Sequence, residues 1–151
     1  MAQMVREVMT PAVTAVRPDA SLVEAAQLMR AQDIGDVLVM RDETLLGVVT
    51  DRDIALRAVA DGVDPLTVSC QAICTPEPVC VAPGDPVDLA VDLMRTHAIR
   101  RLPVTEDGTA IGMVSIGDLA VERDPASALA DISRATPDSG PGTAGRARRA
   151  G

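Results

Sequence analysis

Shifted by 65 residues, the chain matches itself without a gap, with 15 identities among the 46 pairs from Met9/Cys74 to Ile54/Leu119. Thr10-Pro11 falls on Thr75-Pro76, Val16 on Val81 and Pro18 on Pro83. The run Leu28-Met29-Arg30 falls on Leu93-Met94-Arg95. Gly47, Val49 and Asp53 fall on Gly112, Val114 and Asp118. Two copies of one supersecondary unit point to a pseudo-twofold pair rather than a long solenoid.

Each copy reads strand, helix, strand, strand, helix. In the first, Val13 to Val16 is a short β segment stopped at Arg17-Pro18. Ser21-Leu22-Val23-Glu24 has the spacing of a capping box, and Leu22, Ala25, Ala26 and Met29 form an apolar helical face. Gly35 is placed to end that helix. In the second copy Asp85 is the expected cap and Pro86 the first helical residue. Val37–Met40 and Leu45–Val49 read as strands joined by a turn, and Asp107-Gly108 is the stronger turn signal of its copy. A helix is expected from Thr50 to about Ala60. Short helices over Met4–Met9 and Thr67–Ile73 would lead into the two Thr-Pro pairs. This divides the chain into a first repeat with its lead-in helix over 1–64, a second repeat with a C-terminal helical extension over 65–135, and a disordered Arg-containing tail over 136–151.

The core has to be aliphatic, because the chain contains no Phe, Trp or Tyr. Met29 and Met94, at matching helix positions, belong to it. The net charge is −8, and the tail opposes it with Arg146, Arg148 and Arg149 against Asp138. So acidic a folded part argues against nucleic acid, which needs clustered cations or stacking rings. No apolar run reaches membrane-spanning length, and the N-terminus lacks a signal-peptide pattern. Three cysteines, an odd number, fit a reducing cytoplasm better than a disulfide framework. Cys70, Cys74, Cys80 and the lone His97 match no zinc-finger spacing and read as small buried residues. With one histidine and no phosphate-binding glycine loop, no catalytic set is visible.

Each copy carries Gly-apolar-apolar-Thr/Ser-x-x-Asp after its third strand: Gly47…Thr50…Asp53 and Gly112…Ser115…Asp118. Taken alone, Thr50-x-x-Asp53 and Ser115-x-x-Asp118 are helix caps. Together with the Thr-Pro lead-ins, the β-α-β-β-α order and the stretch Ile99-Arg100-Arg101-Leu102-Pro103-Val104, the chain resembles a stand-alone CBS-domain pair, or Bateman module. The looser first copy of that stretch is Ile34-Gly35-Asp36-Val37-Leu38-Val39. The resemblance covers about Met4 to Val121. It implies an α/β fold of the α+β kind, two CBS repeats packed around a pseudo-twofold axis with two clefts. It also implies a regulatory module, forming a homodimer read by a protein effector; from the residues themselves no catalysis, no covalent cofactor and no metal are expected.

The family's ligands are AMP, ADP, ATP or S-adenosylmethionine. The resemblance assigns ribose contact to Asp53 and Asp118, ribose or phosphate contact to Thr50 and Ser115, and phosphate contact to Arg100. Gly35, Arg101, Val16 and Val81 are further candidates. Because Arg100 matches Gly35, the cleft of Ser115 and Asp118 is expected to favour phosphates. That of Thr50 and Asp53 is expected to take a less anionic adenosyl group or stay empty. The competing readings are a ligand-free dimerisation scaffold of the same fold and a cysteine-based redox or metal sensor.

Overall fold

The computed structural model describes residues 3–123. The expected C-terminal helical extension beyond residue 123 and the tail over 136–151 lie outside the described residues. The first sheet contains β1 (Ala15–Val16), β2 (Asp36–Arg41), β3 (Thr44–Thr50) and β4 (Thr75–Pro76). β1 runs parallel to β2, and β3 is antiparallel to both β2 and β4. The second sheet is the antiparallel pair β5 (Arg101–Glu106) and β6 (Thr109–Ser115). Val81 bridges β5 in parallel and Thr10 bridges β6 antiparallel, so the second sheet repeats the order of the first.

That order exposes an exchange between the repeats. β4 is the Thr-Pro pair that precedes the second repeat, yet it pairs with β3 of the first, Gly47 opposite Pro76 and Val48 opposite Thr75. Thr10 exchanges both backbone hydrogen bonds with Met113 of the second repeat, at 2.8 and 3.0 Å. The lead-in helices follow their strands. A 3-10 turn, Val5–Glu7, docks on the second repeat, with Val5 N–H donating to Asp85 O at 2.8 Å. The helix α3 (Cys70–Ile73) docks on the first, with Cys70 N–H donating to Ala20 O at 2.7 Å. Val5 is fully buried among Val81, Val87 and Leu102, and Cys70 among Leu22, Val39 and Val49. Each core is thus completed from the other repeat's approach segment, the first by Cys70, Ile73 and Cys74 and the second by Val5.

The central strands β2 and β5 carry three consecutive buried residues, as strands covered on both faces do. Val37 and Val39 enter the first core, while Leu38 between them faces the cleft side. Both hairpins bulge at the matching place, Val39/Met40 and Val104/Thr105. Asp107 and Gly108 have φ of 53° and 81°, the left-handed pair that a two-residue hairpin turn requires.

Helix ends depart from the sequence reading. In α1 (Leu22–Gln32) the Ser21 hydroxyl accepts from Glu24 N–H at 3.2 Å, as the capping pattern predicts. Its C-cap is Asp33 at φ 56°, however, not Gly35. Asp tolerates the left-handed region, so the chain turns two residues earlier and leaves Gly35 to the strand approach. In α4 (Val87–His97) Pro86 is the N-cap rather than the first helical residue, and Asp85 accepts from Ala82 N–H at 2.8 Å instead of capping the helix. The helix after β3 is α-helical over α2 (Asp51–Asp53) and then widens to π turns over Ile54–Val59. The equivalent α5 spans Ile116–Arg123.

Ala98 closes α4 at φ 54° without the local polar side chain of Asp33. An alanine there carries the full left-handed penalty. Ala98→Gly is therefore expected to raise the unfolding free energy by about 0.5–1 kcal/mol, since glycine's extra chain entropy offsets part of the gain. Urea denaturation followed by circular dichroism measures it.

Candidate functional site

The β3–α2 and β6–α5 corners are built alike. Glycines 47 and 112 let the exchanged Thr-Pro segment run against the strand. A Cβ on Gly47 would lie 2.7 Å from Thr75 O, and one on Gly112 would lie 2.6 Å from Thr10 O. Three residues later the chain turns into a helix whose first N–H groups need acceptors. Thr50 Oγ1 accepts from Asp53 N–H at 3.0 Å, and Asp53 Oδ2 accepts from Thr50 N–H at 3.0 Å. Ser115 and Asp118 make the same reciprocal bonds, each at 3.0 Å. The capping reading of these residues is correct as structure. It also fixes each carboxylate with one oxygen engaged and the other turned outward.

The outward oxygens differ. Asp53 Oδ1 lies 3.7 Å from Arg57 Nε, and Arg57 also donates to Ile73 O at 3.0 Å. Among the described residues no cation pairs with Asp118. Asp118 and Ser115 border a cavity of about 310 Å³. The first repeat supplies its opposite wall from the segment Thr10 and Ala12 to Thr14 and from Ile34 and Asp36 to Leu38, and the candidate Gly35 is not part of it. Met113 and Arg101 close it from the second repeat. Val13, Ile34 and Leu38 make an apolar slot without an aromatic ring. At its margin the Thr14 hydroxyl donates to Gln32 Oε1 at 2.6 Å.

Ser115, Asp118 and Arg101 are thus brought together. Arg100 stands outside the cavity wall: its carbonyl accepts from Ile116 N–H at 2.8 Å, holding the start of α5, while its side chain is exposed. Gly35 does the same for α2, accepting from Asp51 N–H at 2.9 Å. Val16 and Val81 are also not wall residues. They are 5% and 3% exposed, packed inside the two cores, because strand alternation turns them away from the cleft. The residues that do line it are Ala12, Val13 and Thr14, just before β1.

Asp36 was missed as a site residue. Its carboxylate borders the cavity and lies 3.7 Å from Arg101 Nε, with its side chain only 13% exposed. Burial raises its pKa above 3.8; Arg101 opposes the rise and the charge of Asp51 adds to it. The folded chain therefore binds a proton at Asp36 more readily than the unfolded one. Its contribution to stability falls as pH climbs from the unfolded value through the folded one. The signal for it in the sequence was a charged residue at the start of an apolar strand, opposite in sign to its equivalent, Arg101.

Cys70 and Cys74 are buried in the first core, whereas Cys80 is half-buried and His97 is exposed, so the expectation of small buried residues holds only for the first two. Burial, with the charge of Glu24 and the proximity of Cys74, pushes the Cys70 thiol up to about 11. Burial also raises Cys74 and Cys80. The shifts disfavour the thiolate form of all three. Among the described residues no three His, Cys, Asp or Glu side chains assemble into a metal-holding group. No helix among them is long and apolar enough to cross a membrane.

The CBS-domain model matches residues 5–59 and 70–123. The chain is 39% identical over 133 residues to the CBS domain-containing protein YhcV of Bacillus subtilis, covering 85% of this chain and 94% of that protein. The crystal structure of Hypoxic Response Protein I with two coordinated zinc ions is 32% identical, with a TM-score of 0.73 over 78% of this chain and 97% of the other. The CBS domain pair of protein MJ0100, in complex with 5′-methylthioadenosine and S-adenosyl-L-methionine, shares the fold at 22% identity and a TM-score of 0.70. That match covers 78% of this chain and 97% of the other. Two matched repeats, the exchanged lead-ins and the paired helix-start corners agree on one assignment: the chain belongs to the CBS-domain proteins, as a CBS domain pair, a regulatory module.

Proposed function

We propose that this chain is a non-catalytic sensor that binds an adenosine-containing ligand in the cleft of Ser115 and Asp118. Occupancy would be passed, through a homodimer, to a protein effector. The observation that carries the reading is the 310 Å³ cavity in which Ser115, Asp118 and Arg101 meet an apolar wall from the other repeat. Its volume falls in the range of small-molecule sites, about 300–1,000 Å³. The outward carboxylate oxygen of Asp118 can accept from both hydroxyls of a ribose cis-diol. The Ser115 hydroxyl, at the positive end of α5, suits a phosphate or another anionic group. The aliphatic slot takes a purine face without stacking. The ligands bound by MJ0100, methylthioadenosine and S-adenosylmethionine, are of this class.

A cleft built from both repeats can report occupancy only if a ligand binds two shapes of the pair unequally. The exchanged Thr-Pro segments provide the means, since Thr10 lines the cavity while its backbone is paired to β6. A thermal-shift screen with AMP, ADP, ATP and S-adenosylmethionine tests the proposal. Circular dichroism is the readout, because the chain has no tryptophan. At a ligand concentration of 100 Kd the expected stabilisation is about 2.7 kcal/mol. No shift with any of the four would favour a ligand-free scaffold.

A further inference from the structure

Positions 36 and 101 are equivalent in the two repeats, and the structure joins them: Arg101 Nε lies 3.7 Å from Asp36 Oδ2. A pair whose members exchange under the repeat operation sits on the pseudo-twofold axis. It borders the cleft of Ser115 and Asp118, and the repeat symmetry relates it in the same way to the corner of Thr50 and Asp53. Symmetry at this point is broken in charge. Two arginines would repel across the axis, as would two aspartates, and this sequence places one of each. The axis thus offers one cation to two clefts.

Three other arginines stand near the helix-start corners, and Arg52, on α2, is exposed and outside the cavity wall. Arg57 is held by Asp53 and by Ile73 O, and the Arg100 side chain is absent from the cavity wall. Around Asp36 the environment is acidic. The Asp51 carboxylate is close enough that a Cβ on Gly35 would lie 3.1 Å from its Oδ2. With the Asp36 side chain mostly buried, water screens it poorly.

We infer that Arg101 is the one phosphate-binding cation of both clefts, and that Asp36, by holding it, restricts the chain to a single anionic ligand. This rests on the adenosyl-ligand reading above and adds a rule of stoichiometry and charge to it. A phosphate in the Ser115 cleft competes with Asp36 for the Arg101 guanidinium, which has further N–H donors to give. Once Arg101 turns to the phosphate, Asp36 faces the second cleft less compensated and opposes a second anion there. A neutral adenosyl ligand has no such competition.

Isothermal titration on the full chain tests this, with AMP as the anionic probe and 5′-methylthioadenosine as the neutral one. In the wild type, AMP is expected to saturate at one equivalent per chain. Asp36→Asn keeps the shape and removes the competing charge. It should tighten AMP roughly tenfold, admit a second equivalent and leave methylthioadenosine within about twofold. Arg101→Gln should weaken AMP at least about tenfold and spare methylthioadenosine. Equal responses of the two probes to Asp36→Asn, or two equivalents of AMP on the wild type, overturn the inference while leaving the adenosyl site standing. A wild type that binds neither probe overturns both. Should Arg101→Gln fail to give a native circular dichroism melt, the Asp36→Asn comparison decides alone.

Discussion

Gly112→Ala is expected to lower the unfolding free energy by about 3 kcal/mol, and Gly47→Ala by a similar amount. The added methyl at 112 would sit 2.6 Å from Thr10 O and 3.0 Å from Met9 Sδ. At 47 it would sit 2.6 Å from Cys74 Sγ and 2.7 Å from Thr75 O. The sulfur atoms can move; the carbonyls are backbone. Thr10 O is also the acceptor for Met113 N–H, so relief of the clash pulls the exchanged strand away from β6. The loss then spreads along the chain to Val5, which that strand anchors in the second core. Gly84→Ala is the control. Its Cβ would meet only the Arg6 guanidinium tip at 3.2 Å, so its effect should stay within about 0.5 kcal/mol. Urea midpoints by circular dichroism give all three values. Equal small losses at 47, 84 and 112 would mean that the lead-ins do not seat as described.

Asp118→Asn is expected to weaken adenosyl binding by roughly 10–100-fold, the loss of a charge-assisted hydrogen bond. The amide can still turn its oxygen to Ser115 N–H and keep the cap. It then presents an NH2 group where the carboxylate would accept ribose hydroxyls. Asp53→Asn should cost under about threefold, because Arg57 already takes the outward oxygen of Asp53. Isothermal titration with AMP reads both variants. A larger loss at Asp53 would move the ligand to the other cleft.

The strands, the helices and the two helix-start corners were legible because each is local. Alternation, apolar faces and Thr/Ser-x-x-Asp spacing act within a few residues. The exchange of lead-ins was not legible in that way. The 65-residue match says that Val5 and Cys70 are equivalent, but not which core each enters. The available signal was Gly47 and Gly112 inside apolar strands, since glycine there marks close approach of another backbone. Arg101, not Arg100, reaches the cavity for a similar reason. β5 begins at Arg101, and the residue before it is spent on holding α5 through its carbonyl. Val16 and Val81 are buried in the two cores, and the residues just before β1, Val13 and Thr14, line the cleft instead. The Asp36–Arg101 pair needed both the repeat register and the packing of the two sheets. Opposite charges at equivalent strand starts were visible, but their meeting was not.

The central claim is that an adenosyl ligand occupies the cleft of Ser115 and Asp118 before that of Thr50 and Asp53. A heteronuclear NMR titration of the wild-type chain with AMP reads this residue by residue. The account predicts that the amides of Ser115, Asp118 and Arg101 shift first and saturate together, with Thr14 following as part of the same wall. Shifts that begin at Thr50 and Asp53, or a spectrum that AMP leaves unchanged, would contradict it.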